Sequence, residues 1–180
     1  MSITTDAPTI QGTWNLDSTH STIGFSVVYM GVAPFTASFT DVSATLDDNG
    51  LRGVAQASSI DVGDENLAAH LAAPDFFDVA NHPELSFESD PVSIAGSTVT
   101  VDGTLVVKGN RAPITLTGSV NGPVADPWGN RKLALELAGT VDRTRLGLEW
   151  NAPLPEGGSM LADDVALEAT LVFVAAPEEA

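Results

Sequence analysis

The 180-residue sequence has no cysteine, so neither disulfides nor thiolate catalysis can contribute to its function. Basic residues are also scarce: seven Lys and Arg stand against 24 Asp and Glu, which gives a net charge of −17. Such a surface repels phosphate backbones and anionic lipid surfaces, and this excludes nucleic acid as a partner. No run of about 18 apolar residues occurs, so no transmembrane segment is predicted.

The amino terminus lacks the features of a secretory signal. Residues 1–14 contain no Lys or Arg and no apolar core segment, and we therefore expect a cytoplasmic protein. The length is that of one domain, and 43% hydrophobic residues suffice for a real core. We predict a flexible tail at 1–12, one domain at 13–175 and a second tail at 176–180.

What the sequence has in abundance is alternation of apolar residues with small or polar ones. Ile23, Phe25, Val27 and Tyr29 share one phase, and the pattern recurs in four later segments. These segments are 99–107, 114–120, 133–141 and 165–173. Because successive side chains of a strand point to opposite faces, each run has one apolar face. We predict an all-β fold with its sheet closed around those faces, and a barrel of about eight strands either just fills or holds one small ligand.

Two features interrupt the alternation. Phe39 and Val42 lie in opposite phases, and one extra residue at Thr40–Asp41, as in a β-bulge, restores a common facing. Residues 64–71 form the one segment with a helical pattern, which begins with acidic residues and is followed by Pro74. We expect this short helix to flank or cover the barrel.

The sequence contains no catalytic or metal-binding constellation. Ser21 directly follows His20, but adjacent residues of a strand point to opposite faces, and no Gly-x-Ser-x-Gly elbow occurs. The three histidines, which include His70 and His82, lack metal-ligand spacing, and no phosphate-binding glycine loop is found. Clustered carboxylates are expected on a solvated surface of this acidity. We therefore predict no enzyme, no metal site and no cofactor.

Five blocks of residues, in order along the chain, resemble the YceI-like family of lipocalin-like barrels. The blocks are Trp14–Phe25, Ser59–Ser89, Gly103–Leu116, Asp126–Gly129 and Asp142–Asn151. The first contains W-x-x-D-x-x-H-S, the second contains D-F-F-D, and the fourth is D-P-W-G. The last is similar to R-x-x-F-G-L-x-W-N, with Leu146 in place of the Phe. The helix departs from the family's R-D-x-H-L, because Ala68 and Ala69 precede His70.

The resemblance implies an extended antiparallel eight-stranded lipocalin-like barrel with one short helix, whose lumen takes isoprenoid or other long amphiphilic chains. We accordingly expect the protein to bind, and to sequester or carry, an isoprenoid or fatty-chain lipid. The candidate lumen residues lie in the apolar phases of the strands: Ile23, Phe25, Val27, Tyr29, Phe39, Leu105, Leu135, Leu137, Leu167, Leu171 and Phe173. The candidate rim or gate residues are His20, Phe76, Phe77 and Trp128.

Other interpretations stay open. The apolar stripes could fill a dry core, and the barrel would then serve as a protein-interaction module. A hydrolase or isomerase could act on such a lipid through His20. Six basic residues between Lys108 and Arg145 are grouped either by chance or as a positive spot for an anionic head group. A homodimer is also compatible with the sequence.

Overall fold

The fold is that of a computed structural model, and the structure describes residues 10–177. The predicted tail at 1–12 lies largely outside these residues, as do the last three positions of the tail at 176–180. The strands, in chain order, are β1 Trp14–Leu16, β2 Thr22–Tyr29, β3 Ala33–Phe39, β4 Val42–Asp47, β5 Gly50–Gln56, β6 Ile60–Asp61, β7 Glu84–Ser89, β8 Ser93–Ala95, β9 Thr98–Val107, β10 Asn110–Ala125, β11 Arg131–Asp142 and β12 Leu161–Ala175. The α-helix is α1, Glu65–Ala72, and short 3-10 turns cover Ser18–His20, Ala57–Ser59 and Arg143–Leu146.

Within residues 10–177 these segments build eight antiparallel strands. The 3-10 turn Ser18–His20 separates β1 from β2, and Ala57–Ser59 separates β5 from β6, so each pair forms one bent strand. Two residues separate β3 from β4, while β7 and β8 both pair with β9. Counting each of these pairs once and adding β9 to β12 gives the eight strands, and the predicted all-β architecture is confirmed.

The long strand β12 closes the barrel. One edge of β12 pairs with β11 along its whole length, from Lys132↔Val174 to Asp142↔Asp164. The other edge pairs first with β2 and then, near the carboxyl end, with β1. Because β1 also pairs with β4, the hydrogen-bonded order returns on itself and leaves no open edge in the ring.

The break in alternation falls where the sequence places it. Thr40 and Asp41 form a bend between β3 and β4, and the amide of Thr40 donates to the carbonyl of Ser59 at 3.2 Å. Phe39 before the bend and Val42 after it both contact the same interior space. The change of phase thus keeps the apolar side chains inside while the strand turns a corner.

The helix α1 lies across one end of the barrel. The carboxylate of Asp64 caps its amino terminus by accepting a hydrogen bond from the amide of Leu67 at 2.9 Å. Leu71 is buried on its inner face, and the carbonyl of Leu71 accepts from the amide of Phe77 at 3.0 Å. The predicted helix is therefore present, one residue later than expected. No helix among residues 10–177 is both long and apolar enough to cross a bilayer.

In the described part of the chain the buried apolar side chains form two clusters, one at each end of the barrel. The first, which we call the helix end, contains Val27, Phe39, Leu71, Phe77 and other residues near α1. The second, which we call the closed end, is built from β1 and the neighbouring ends of β4, β5 and β9 to β12. Phe87 and Leu116 pack against both clusters and mark their boundary.

Candidate ligand-binding cavity

A cavity of about 630 Å³ occupies the helix end and extends toward the middle of the barrel. Ligand pockets in proteins typically have volumes of about 300–1,000 Å³. Along β2 the lining runs from Ile23 to Tyr29, and the six steps between these residues span about 20 Å at roughly 3.3 Å per residue. The space is therefore elongated along the strands. Apolar side chains supply most of its wall.

The size of the inward-facing residues explains why this half of the barrel is hollow. Leu46 faces Leu51 across β4 and β5 at the closed end. The next inward pair toward the helix end is Ala44 with Gly53, and both line the cavity. On β12 the inward position next to Leu171 on the side of the helix end is likewise held by a small residue, Ala169. Small side chains at these positions leave volume that no neighbouring side chain fills.

Three aromatic rings form one wall of the cavity. Phe25 on β2 and Phe39 on β3 have ring centroids 6.0 Å apart. Phe77, from the loop after α1, lies 6.3 Å from Phe25 and 5.9 Å from Phe39, with the latter pair edge to face. Rings at these distances attract each other beyond the area they bury. The loop is thereby attached to the sheet at the level of the cavity.

A second aromatic group surrounds the opening of the cavity. His70 on α1 packs edge to face on Phe76 at 5.0 Å and on Trp150 at 5.9 Å between ring centroids. Tyr29 and Ala33, at the tip of the β2–β3 hairpin, are exposed and line the cavity, and so does the exposed His70. These residues place the opening between the hairpin tip and the helix. The imidazole of His70 is a polar group at this otherwise apolar opening.

The one buried charged side chain of the described residues, Arg143, also lines the cavity. It is 5% exposed, and its Nε donates to the carbonyl of Ala162 at 2.8 Å. Its Nη1 donates to the carbonyls of Leu148 and Trp150. Its Nη2 has no hydrogen-bond partner and lies 3.7 Å from Oδ1 of Asp163, a separation that permits charge attraction without a hydrogen bond. Arg143 thus holds the segment that carries Trp150 against the start of β12.

Most of the predicted lumen residues surround this cavity. Those that line it are Ile23, Phe25, Val27, Tyr29, Phe39, Leu105, Leu137, Leu167 and Leu171. Leu135 and Phe173 share the inward facing but do not line it, because both belong to the tightly packed closed end and have no exposed surface. The period-two pattern identifies the inward face correctly, yet it does not tell how far the hollow part extends along each strand.

The predicted rim residues are divided among three places. Phe76 and Phe77 line the cavity and are almost wholly buried. Trp128 is 83% exposed in the β10–β11 turn, which lies at the opposite, closed end of the barrel. The side chain of His20 is 64% exposed in the turn between β1 and β2 and does not line the cavity. Sequence alone could not assign these loops to an end of the barrel.

The surroundings of His20 do not form a nucleophile–base pair. Its Nδ1 lies 2.8 Å from Oδ2 of Asp17, whose carboxylate also accepts from Nζ of Lys132 at 3.2 Å. The hydroxyl of Ser21 donates to the carbonyl of Asp17 at 2.7 Å and accepts from the amide of Val172 at 2.9 Å. Burial raises the pKa of Asp17, but the hydrogen bonds from His20 and Lys132 outweigh it, so the pKa lies below its usual value. These contacts join three strands and serve a structural role.

The six basic residues are divided between the two ends of the barrel. Arg131 and Lys132 lie at the start of β11, by the closed end, whereas Lys108, Arg111, Arg143 and Arg145 lie in or beside the turns at the helix end. Lys108 uses its Nζ to donate to the carbonyl of Pro74 at 2.7 Å, which supports the loop that carries Phe76 and Phe77. Among residues 10–177 no three His, Asp or Glu side chains are grouped as metal ligands.

Several lining residues were not among the sequence candidates. Phe87 on β7 and Phe35 on β3 lie on alternating segments, so their phase could have identified them. Trp150 and Arg143 come from an irregular segment between β11 and β12. No periodicity applies to such a segment, and only tertiary packing brings these two side chains to the cavity.

The comparisons with known proteins agree with this architecture. The model of the YceI-like domain family matches residues 14–173. A UPF0312 protein of Staphylococcus epidermidis is 28% identical over 168 residues, which cover 89% of this chain and 96% of that protein. The crystal structure of Burkholderia cenocepacia BcnA is similar with a TM-score of 0.70 at 20% identity, covering 87% of this chain and 98% of that one. A polyisoprenoid binding domain from Saccharophagus degradans, implicated in plant cell wall breakdown, also has a TM-score of 0.70, at 15% identity and with 91% and 98% coverage.

Proposed function

The chain belongs to the YceI-like family, and we propose that it binds a long apolar or amphiphilic ligand, an isoprenoid or fatty-chain lipid, and sequesters or carries it in the barrel. The observation that carries this proposal is the apolar cavity of about 630 Å³ at the helix end. The similarity to a polyisoprenoid binding domain supports the same class of ligand. The nine predicted residues that surround the cavity are the proposed ligand contacts, together with Phe35, Phe87 and Trp150.

The energy of binding comes from burial of the chain. Each methylene transferred from water contributes about 0.8 kcal/mol. Ten methylenes give a gross of about 8 kcal/mol, which corresponds to micromolar affinity before the cost of ordering the chain. The polar end of an amphiphilic ligand would lie at the opening, beside His70, because the inner wall offers few polar partners. We propose a binding role without catalysis, because His20 lies outside the cavity and its neighbours are engaged in strand contacts.

The ligand can be identified directly. The purified protein is examined by native mass spectrometry before and after delipidation, and the delipidated protein is then titrated with a fluorescent fatty-chain probe and with an isoprenoid alcohol. We expect a bound mass of a lipid before delipidation and saturable binding of at least one probe afterwards. A protein that carries no ligand and binds neither probe would refute the proposal and favour a filled interaction module.

A substitution that fills the cavity sharpens the test. Ala44→Phe places a ring opposite Gly53 inside the cavity, whereas Ser43→Phe adds the same ring on the exposed face of the same strand. We expect Ala44→Phe to weaken probe binding by at least about tenfold, since occupied volume is lost to the ligand. Ser43→Phe should bind like the wild type. Equal binding by the two variants would place the ligand elsewhere on the protein.

Location and assembly stay predictions. The expected cytoplasmic location can be checked by fractionating cells and detecting the protein in each compartment. The oligomeric state, for which the sequence permits a homodimer, can be measured by sedimentation velocity.

A further inference from the structure

Exposed apolar side chains are concentrated at the tip of the β2–β3 hairpin. Val28, Tyr29, Met30 and Val32 are all exposed there, and Val32 reaches 79%. Among residues 10–177 the other large apolar side chains exposed to this degree are Val124 and Trp128, which lie at the opposite end of the barrel. Contiguous apolar surface on an otherwise polar protein marks a contact site for a partner or a membrane.

The same hairpin is free of ionisable carboxylates and cations. No Asp, Glu, Lys or Arg occurs from residue 18 to residue 40, a stretch that contains both strands and the tip. The rest of the sequence carries all 24 acidic residues and all seven basic ones. The tip can therefore leave water without burying a charge, which would cost free energy at a site that carries carboxylates.

The turn at the tip holds Met30 in a strained backbone conformation with its side chain exposed. Met30 has a φ of 53° and Gly31 a φ of 70°, and the amide of Val32 donates to the carbonyl of Tyr29 at 3.0 Å. Glycine or asparagine adopts a positive φ with little strain, whereas methionine does so at a cost. Lys108 in the β9–β10 turn has the same φ; at Met30 the strain is kept at an exposed apolar side chain, and strained backbone of this kind is found at functional positions in proteins.

The tip also borders the opening of the cavity. Tyr29, Ala33 and Pro34 line the cavity from this side. The amide of Met30 donates to the carbonyl of Met160 at 2.7 Å, which joins the tip to the segment before β12. Asp163 and Asp164 lie where the register of β12 with β2 shifts, between Leu161↔Tyr29 and Val165↔Val27, and Oδ1 of Asp163 lies 3.7 Å from Nη2 of Arg143.

We infer that this hairpin tip inserts into the surface of a zwitterionic lipid bilayer and holds the cavity opening against it. An uncharged apolar tip enters the interface, and the net charge of −17 on the whole chain makes anionic bilayers unfavourable. The purpose of this contact, loading or release of a lipid without passage through water, rests on the proposed function. The contact itself is independent of what the cavity binds.

Flotation with phosphatidylcholine vesicles tests the inference. The double variant Met30→Glu/Val32→Glu puts two carboxylates at the tip, and the matched control Val124→Glu/Trp128→Glu puts two at the opposite end. Each large apolar side chain withdrawn from water contributes about tenfold to partitioning into the bilayer. We therefore expect the affinity for vesicles to fall about 100-fold in the tip variant and less than about threefold in the control. Replacing a third of the phosphatidylcholine by phosphatidylglycerol should weaken binding of the wild type, and added salt should restore it.

A third variant separates docking from folding. Met30→Asn removes the apolar side chain and places at a positive φ a residue that favours it, so its melting temperature should equal or exceed that of the wild type. Its vesicle binding should fall about tenfold. A wild-type protein that does not float with phosphatidylcholine, or a Met30→Asn variant that floats equally well, would overturn the inference.

The outcome is distinguishable from failure of the proposed function. Binding of the fluorescent fatty-chain probe in solution should be unchanged in the tip variants, while uptake of the probe from vesicles should slow. If the probe does not bind in solution, the proposed function fails regardless of flotation. If sedimentation velocity shows that the tip variants convert a dimer to a monomer and the vesicles capture no protein, the tip is an interface between two copies and the bilayer is excluded.

Discussion

The closed end and the helix end of this barrel are built from the same strands and the same alternation, yet one is packed and the other is hollow. Inward residues at the closed end include Leu46, Leu51, Leu135 and Phe173, none of which is more than 3% exposed. Toward the helix end the inward positions of β4 and β5 hold Ala44 and Gly53. The comparison teaches that the phase of the pattern decides the facing of a side chain, whereas its volume decides whether a barrel has a lumen.

The two ends also differ in how they are covered. At the closed end β1 bridges β12 and β4, and the carboxylate of Asp17 accepts hydrogen bonds there from two side chains. At the helix end, α1 and the loop that carries Phe76 and Phe77 lie beside the opening. Phe77 contacts the sheet through the rings of Phe25 and Phe39, and Phe76 contacts Trp150. These ring contacts can break without breaking the hydrogen bonds of the barrel. We therefore expect local unfolding to begin at the helix end.

The largest expected effect comes from removing an aromatic ring at each end. Phe173→Ala should lower the free energy of unfolding by about 3–5 kcal/mol, because it leaves a void in a filled core. Phe25→Ala should cost only about 1–2 kcal/mol, because part of its ring already borders empty volume. Urea unfolding of the ligand-free variants measures both values. Equal costs would mean that the helix end is as tightly packed as the closed end.

The ionic contacts at the closed end give a smaller, pH-dependent effect. Asp17→Asn should lower the free energy of unfolding by about 1–2 kcal/mol at pH 7, through loss of charge-assisted hydrogen bonds. The pKa of Asp17 is lower in the folded protein than the ordinary aspartate value of 3.8. Its contribution is therefore fully present above that pH and is lost as the pH falls through the lower folded value. Urea unfolding at pH 7 and below pH 3.8 should show the difference between variant and wild type shrinking with acid.

Adding a single methyl group at two glycines should have effects of opposite sign. A Cβ at Gly53 would meet its nearest atoms at 3.5 Å and 3.6 Å, ordinary contact distances at the edge of the cavity. Gly53→Ala should therefore raise the free energy of unfolding by about 0.5–1 kcal/mol. A Cβ at Gly103 would lie 2.5 Å from the ring of Phe87 and 2.7 Å from the carbonyl of Glu88, so Gly103→Ala should destabilise. Thermal melts of both variants check the signs, and a stabilised Gly103→Ala would contradict the packing described around Phe87.

The smallest effects are expected at the two predicted rim residues that lie away from the cavity. Trp128→Ala should change the free energy of unfolding by less than about 0.5 kcal/mol. Both Trp128→Ala and His20→Asn should change probe affinity by less than about twofold. Phe76→Ala, at the opening, should lower the affinity for the probe more than either of these substitutions. Titration with the fatty-chain probe measures all three. A loss of affinity in His20→Asn would place this imidazole in contact with the ligand, whereas unchanged affinity with loss of a turnover of the ligand would favour an enzyme acting through His20.

The pattern of residues along the chain predicts most of the strands, which of their side chains share a face, and the position of the bend. Ile23, Phe25 and Val27 had to share a face because side chains on a strand alternate, and Phe39 and Val42 required a change of phase between them. These are local consequences of backbone geometry, so they can be predicted without knowledge of partner strands. The short helix was predictable for the same reason, from its acidic start and the proline that follows it.

The extent of the hollow part of the lumen and the loops that reach it depend on how the strands pack together. Whether Leu135 lines a cavity depends on what lies across from it, and Trp128 and Phe77 occupy loops of similar appearance at opposite ends of the barrel. Arg143 and Trp150 come to the cavity from an irregular segment that no periodicity describes. Volume left unfilled is a property of many side chains packed together, and local patterns along one chain contain no measure of it.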